Sequence, residues 1–244
     1  MKVIAFKIFG DFAHFRKFYT TSSPLTFPFP PPTAVRGILG AILGFGKEEY
    51  IEKTRDFWIG VKINRPVKKI RLGLNLIFTK GSSGKFDPTL IPSRKGDVNK
   101  TLRTQIKAEL VKEPSYTLYV YSDTYFKELY THLSEKKTHY TLCLGLSELI
   151  ANFEFEGIYT AKKIGFSSSV SSVVPVGKLV DIDIERIQRL GKERIPVYMN
   201  QERRVLKYED VIYSLEGKPL YGTVKDLFEL ENGEVIHLWE PAIA

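Results

Sequence analysis

The chain's 244 residues are 43% hydrophobic and 26% charged, a globular composition for one large domain, alone or with a smaller appendage. A single cysteine, Cys143, excludes an intrachain disulfide and a multi-cysteine metal site, and no apolar run approaches the roughly 18 residues of a spanning helix. The formal charge of +8 and a pI near 9.3 suggest an anionic partner, provided the charge is clustered.

Residues 2–9 (KVIAFKIF) are apolar on both faces, as a central strand requires. Lys7 and Asp11 interrupt the apolar run and no small-residue cleavage site follows, so a first strand is expected rather than a signal peptide, in a cytoplasmic protein. A polar, aromatic and basic loop comes next: His14, Phe15, Arg16, Lys17, Phe18, Tyr19. The proline run 28–32 then leads into a helix predicted over residues 34–45, with Thr33 as its N-cap. On that helix Ala34, Gly37, Gly40, Ala41 and Gly44 share one stripe, opposite Val35, Ile38, Leu39, Ile42 and Leu43. Each of the three glycines costs about 1 kcal/mol relative to alanine, so the bare face is expected to admit another backbone, a β-strand before a nucleic-acid strand.

Residues 47–56 extend the helical region, and 57–64 and 69–79 read as strands parted at Arg65 and Pro66. Hydrophobic periodicity then lapses over 80–104, where Gly81, Gly84, Pro88, Pro92 and Gly96 accompany Lys85, Arg94, Lys95, Lys100 and Arg103. A long basic loop or hairpin is expected there, projecting like a thumb between two strands. Strand-like alternation returns over 105–122. Residues 123–136 predict a helix with Asp123 as N-cap and an apolar face of Tyr125, Phe126, Leu129, Tyr130 and Leu133. Residues 140–144 and 151–160 read as strands, completing a plan close to βαββαβ. Beyond a Ser/Val-rich connection at 167–176, short strands are expected at 180–184, 194–198, 204–208 and 235–238. The expected class is therefore α+β: a ferredoxin-like, RRM-like domain over 1–165 with its thumb at about 80–104, then a small β-rich region over 166–244.

The charge is clustered. Residues 62–112 hold 13 Lys and Arg against three acids, leaving the rest of the chain a net −2 of the +8 total. That division favours nucleic acid over a uniformly basic surface, with a membrane surface third. GSSGK at 81–85 is too short for a phosphate loop and Phe86 occupies the hydroxyl position; Cys143 reads as a buried small residue. The four histidines are scattered, and neither a metal nor a small-molecule cofactor is expected. For RNA binding, Arg16, Lys17 and Arg36 suit phosphates, Phe15, Phe18 and Tyr19 suit unpaired bases, and Arg203 and Arg204 form a further cationic pair. A metal-independent ribonuclease is the alternative, with His14, Lys17 and Tyr19 as its base, cation and acid types, and a protein-interaction scaffold is the next.

The loop AHFRKFYTTSS, the run PFPPPTA and the helix RGILGAILG, in that order and at tight spacing, resemble the N-terminal signature of the Cas-five family of CRISPR-associated RAMP proteins. CLGLSELIANFE and IPVYMNQERRVLKYEDVIY are similar to later blocks of that family. The resemblance implies a ferredoxin-like core with a thumb, acting as a non-catalytic subunit that binds the 5′ repeat-derived handle of crRNA in a type I Cascade complex for antiviral defence. Its partners would be the crRNA, the Cas-seven backbone subunit and the Cascade large subunit. By the same resemblance the handle-contacting elements are His14 to Tyr19, Arg36 with Gly37 and Gly40, and the thumb from Lys85 to Arg103.

Overall fold

The computed structural model describes residues 1–21, 23–77 and 103–241. In chain order the first half contains β1 (Lys2–Phe9), β2 (Phe12–Ala13), β3 (Phe15–Arg16), β4 (Thr26–Phe27), α1 (Pro32–Leu43), α2 (Tyr50–Lys53), β5 (Trp58–Ile63), β6 (Lys68–Ile77), β7 (Arg103–Lys112) and β8 (Ser115–Tyr121). The second half contains α3 (Phe126–Ser134), β9 (Asn152–Val170), β10 (Val174–Pro175), β11 (Leu179–Ile182), β12 (Leu190–Met199), β13 (Val205–Ser214), β14 (Leu220–Leu230) and β15 (Val235–Ile236). The main sheet runs β11-β14-β9-β1-β8-β5, with β15 on β14. Its pairings are antiparallel throughout.

β1 is central, and its two apolar faces enter two different cores. Ile4, Phe6 and Ile8 join Val35, Leu39 and Ile42 of α1 and Leu129 and Leu133 of α3. Val3 and Ala5 point the other way, where Phe228, Leu230, Ile236 and Leu238 cover them. The second face is thus closed by the end of the chain. A short strap follows β15 and reaches the far edge of the sheet, where Ile59 and Trp239 exchange backbone hydrogen bonds of 3.1 and 2.7 Å. Each large apolar side chain buried this way contributes about 1.5–3 kcal/mol.

Several boundaries differ from the sequence expectation for identifiable reasons. α1 begins at Pro32, not after a Thr33 cap: the Pro31 carbonyl accepts from the amides of Ala34 and Val35 at 2.8 and 3.0 Å. Proline suits this first turn because its missing N–H would have no helical acceptor. Gly44 ends the helix with φ 79°, the left-handed conformation glycine adopts most readily. Asp123 does not cap α3. Ser122 Oγ accepts from the Tyr125 amide at 2.9 Å and donates to Asp56 at 2.5 Å, and the helix starts at Phe126.

Residues 140–144 are not a strand. Their approach is set by α1, whose C-terminal carbonyls at Ile42 and Ala41 accept from the amides of His139 and Tyr140, groups that lack helical partners of their own. Residues 105–122 resolve into two strands, β7 and β8, around Glu113 at φ 50°. β9 continues for 19 residues, across residues 165 and 166 and into the first part of the expected connection, ending at Val170. β14, which sequence alternation does not announce, lies along it. Its pairing slips between Tyr221 and Val224, with Gly222 and Asp226 at φ 146° and 55°, so bulges scramble the period of two.

Two smaller sheets flank the main one. β12 and β13 form a hairpin joined by β10, and their Ile195, Val197, Val211 and Tyr213 pack into the core shared with α1. β6 and β7 pair residue for residue from Lys68–Lys112 to Ile77–Arg103, with β2 on the outer side of β7. This ribbon stands outside the main sheet. The expected thumb cations Lys85, Arg94, Lys95 and Lys100 lie outside the described residues, between its two strands. No described helix is long and apolar enough to cross a membrane.

Candidate nucleic-acid interface

The loop after β1 is pinned from several sides. β3 pairs with β4, and the Phe15 amide donates to Thr26 Oγ1 at 2.9 Å. Glu109 on β7 is the centre of the anchorage: its carboxylate accepts from Lys69 Nζ at 3.0 Å and from the Thr26 amide at 3.3 Å. Its carbonyl lies 2.7 Å from His14 Nδ1, and its amide donates to Pro24 at 2.9 Å. Burial pushes the Glu109 carboxyl up, but Lys69, the Thr26 amide and Lys17 outweigh it and hold it below the usual carboxylate range. Nothing in the sequence around Glu109 marks this role, because all its partners come from other elements.

The predicted loop residues divide into braces and exposed groups. His14 and Phe15 are 3% and 4% exposed, Phe15 lying edge-on to Tyr116 at 6.1 Å. Lys17 is buried in an ion pair with Glu193 of β12. Burial alone would lower its pKa, yet the Glu193 carboxylate and Tyr19 hydroxyl raise it overall. Arg16 is exposed and donates to the carbonyls of Thr20 and Thr21 at 3.0 and 3.3 Å, holding the turn of its own loop. Phe18 and Tyr19 are half exposed, with Phe18 against Tyr208 at 4.6 Å between ring centres. His14, Lys17 and Tyr19 therefore do not present an accessible acid–base set. The histidine is buried against a backbone carbonyl, and the ammonium is committed to a carboxylate.

Arg36 is also corrected. Its guanidinium is buried, donates to the carbonyls of Thr54 and Phe57, and lies 5.8 Å from the Tyr198 ring centre. Burial lowers its pKa to about 10. It ties α1 to the segment before β5, its guanidinium taken up by those two carbonyls. The glycine stripe has three separate explanations. A Cβ on Gly40 would stand 2.8 Å from that of Tyr50, so this glycine admits α2, neither a strand nor an RNA. Gly44 meets the His139 ring. A Cβ on Gly37 would meet nothing within 4 Å among the described residues.

That open side of α1 is the floor of a long groove. One part, about 480 Å³, lies between the loop and the ribbon, where His14, Arg16, Leu74, Leu76, Ile106 and Met199 line it. The other, about 940 Å³, lies between α1 and residues 140–147, with Gly37, Tyr50, Tyr140 and Arg203 among its lining. Phe15, Thr33, Ala34 and Gly145 border both parts, so the two run together along the helix. Arg203 enters from the β12–β13 turn at φ 61°, its guanidinium donating to the Lys47 carbonyl at 3.0 Å. Arg204 is not among the lining residues and pairs with Glu202 at 3.1 Å. Tyr140, Tyr50 and Lys47 were not legible as site residues, since their sequence surroundings read as ordinary strand and helix.

On the ribbon, residues facing alternate sides segregate. Ile70, Leu72 and Leu74 oppose Leu110, Ala108 and Ile106 on one face, and Lys69, Arg71 and Gly73 oppose Val111, Glu109 and Lys107 on the other. The apolar face lines the groove, while Lys69 and Arg71 lie on the ribbon's opposite face, where Glu109 takes up part of their charge.

Sequence comparison matches residues 3–135 to the family described as CRISPR-associated protein (Cas_Cas5). No curated protein matches the chain. Among solved structures, a CRISPR protein from Archaeoglobus fulgidus is similar at TM-score 0.55 and 15% identity, covering 98% of this chain and 99% of that one. A chain of a CRISPR RNA-guided surveillance complex is similar at TM-score 0.54 and 10% identity, covering 91% of each.

Proposed function

The chain belongs to the Cas-five family of CRISPR-associated proteins, and on that premise we propose that it binds the 5′ repeat-derived handle of crRNA, without cleaving it, as a subunit of a type I Cascade-like complex. The observation that carries the proposal is the continuous groove along α1, bordered by the exposed Arg16 at one end and by Lys47 and Arg203 at the other. Single-stranded RNA suits such a surface because its unstacked bases offer flat apolar faces while its phosphates reach the cations at the rim.

The strand order supports a ferredoxin-like core. Numbering β1, β5, β8 and β9 as first to fourth, they lie side by side as fourth, first, third and second, with α1 following the first and α3 the third. The ribbon supports the thumb reading, because Lys85, Arg94, Lys95 and Lys100 fall in sequence between its two strands, with Arg103 opening β7. In this proposal these cations cross the bound strand, and the crRNA, the Cas-seven backbone subunit and the large subunit are the partners. The burial of His14 and the ion pair of Lys17 favour binding over cleavage.

The test is fluorescence anisotropy of the full chain with a labelled repeat RNA over a range of salt, beside a chain in which residues 78–102 are replaced by a short Gly/Ser linker. Loss of affinity with a shallower salt slope is expected, about 0.7 per phosphate contact removed. An unchanged slope would remove the thumb from the proposal. Cleavage of the repeat RNA by pure protein in EDTA would overturn the non-catalytic reading.

A further inference from the structure

Resting on the RNA-binding reading, we propose that the larger part of the groove takes unstacked bases, not phosphates, with Tyr140 and Tyr50 as its stacking surfaces. The first reason is its lining. At about 940 Å³ it has the volume of a small-molecule pocket, and its walls are mostly apolar and aromatic, with Lys47 and Arg203 the cations among the described lining residues. A phosphate track needs a cation or amide donor for each phosphate; two cations at one end cannot serve a strand running the length of α1.

The second reason is the support given to the aromatic groups. Tyr140 is 49% exposed, yet its amide is fixed to the Ala41 carbonyl at 2.9 Å and its ring rests edge-on against His139 at 4.6 Å. An exposed ring on a fixed backbone can stack on a base without losing much freedom. Tyr50 is held across the groove, with the Arg203 guanidinium 5.9 Å from its ring centre. Arg203 is in turn set by a turn in which its amide donates to Asn200 at 2.8 Å and its φ is 61°. A non-glycine residue kept in that conformation marks a position where the side chain's direction matters.

The third reason is Gly37. Its neighbour Gly40 is required by Tyr50, but among the described residues nothing occupies the space a side chain at Gly37 would take. A helix-interior glycine that its own fold does not need leaves room for something that arrives from outside.

The experiment uses the full chain and repeat-derived RNAs of about 12 nucleotides, each carrying one abasic position. Wild type is expected to lose affinity about tenfold at one or two positions and little elsewhere. Gly37→Leu fills the seat. It should bind intact RNA about as weakly as wild type binds the sensitive abasic RNA, with no further loss on the abasic one and an unchanged salt slope. Gly37→Ala should raise the melting temperature, which shows that the helix accepts a side chain there. Tyr140→Ala, at an exposed ring, gives the same affinity comparison should Gly37→Leu fail to fold. RNA binding that is indifferent to every abasic position and to both variants would overturn the seat and leave the RNA-binding reading standing. Absence of RNA binding, with an apolar peptide from a partner subunit occupying the groove instead, would overturn both.

Discussion

Lys17 provides the sharpest test of which loop residues are braces. Its side chain is 9% exposed and its partner Glu193 14%, and the pair links the loop after β1 to β12. Lys17→Met keeps the apolar stem and removes the ammonium, so the Glu193 carboxylate stays largely buried without its counter-charge. Breaking such a pair from one side costs about 3–5 kcal/mol. Glu193 keeps some solvent, so the lower end applies, about 3 kcal/mol, or a fall of about 6–12 °C in melting temperature at this chain length. Glu193→Leu should cost a similar amount by stranding the ammonium. The double variant removes both charges and should return to within about 1 kcal/mol of wild type, a coupling measurable by urea denaturation of all four proteins. Because the pKa of Lys17 is raised overall, the stabilisation is complete at neutral pH and is lost only as pH climbs past the ordinary 10.5 and through the folded value. Single effects that simply add would show that Lys17 and Glu193 do not act as a coupled pair. The bracing role is likewise refuted if Lys17→Met melts like wild type while the salt slope of RNA binding falls by about 0.7, the signature of a phosphate contact.

Glu109→Gln should destabilise the chain by about 1–3 kcal/mol by weakening the Lys69 and Thr26 contacts, and should shift the proteolytic sensitivity of residues 14–26. Since the Glu109 carboxyl is held low, its contribution is present above about 4.5 and lost as pH falls through the folded value, a loss that pH-dependent melting of the variant should lack. His237 is 2% exposed, packs edge-on to Trp239, and burial beside Lys178 and Lys207 holds its pKa well below 6.5. The unfolded chain takes up this proton first, so stability should fall below about pH 6.5, and His237→Phe should flatten that part of the melting profile. Gly40→Ala, despite better helix propensity, must displace Tyr50 and should cost about 1–3 kcal/mol in urea denaturation. A stabilised Gly40→Ala protein would contradict the packing described for α1 and α2.

The central strand, the glycine-spaced helix and the alternation of strands and helices through α3 were legible because they rest on local signals. These signals are apolar periodicity and a proline run before a helix. β14 and the full length of β9 were not, since bulges and left-handed residues interrupt their alternation while long-range pairing sustains them. The candidate site divides in the same way. Phe18 and Tyr19 keep the exposure that stacking requires, while His14, Phe15, Lys17 and Arg36 turn inward. Residue type names a capability, and burial decides whether solvent or an RNA can reach it.

By itself, then, the sequence determined the family signature, the basic concentration over residues 62–112, and the order of the first strands and helices. These follow from neighbours along the chain. Tertiary structure alone decided that Glu109 anchors the loop, that Lys17 meets Glu193 176 residues away, and that Tyr140, Tyr50 and Arg203 border one groove. Each of those outcomes depends on elements distant in sequence whose mutual orientation is set by packing of the cores on either side of β1, which no local pattern encodes.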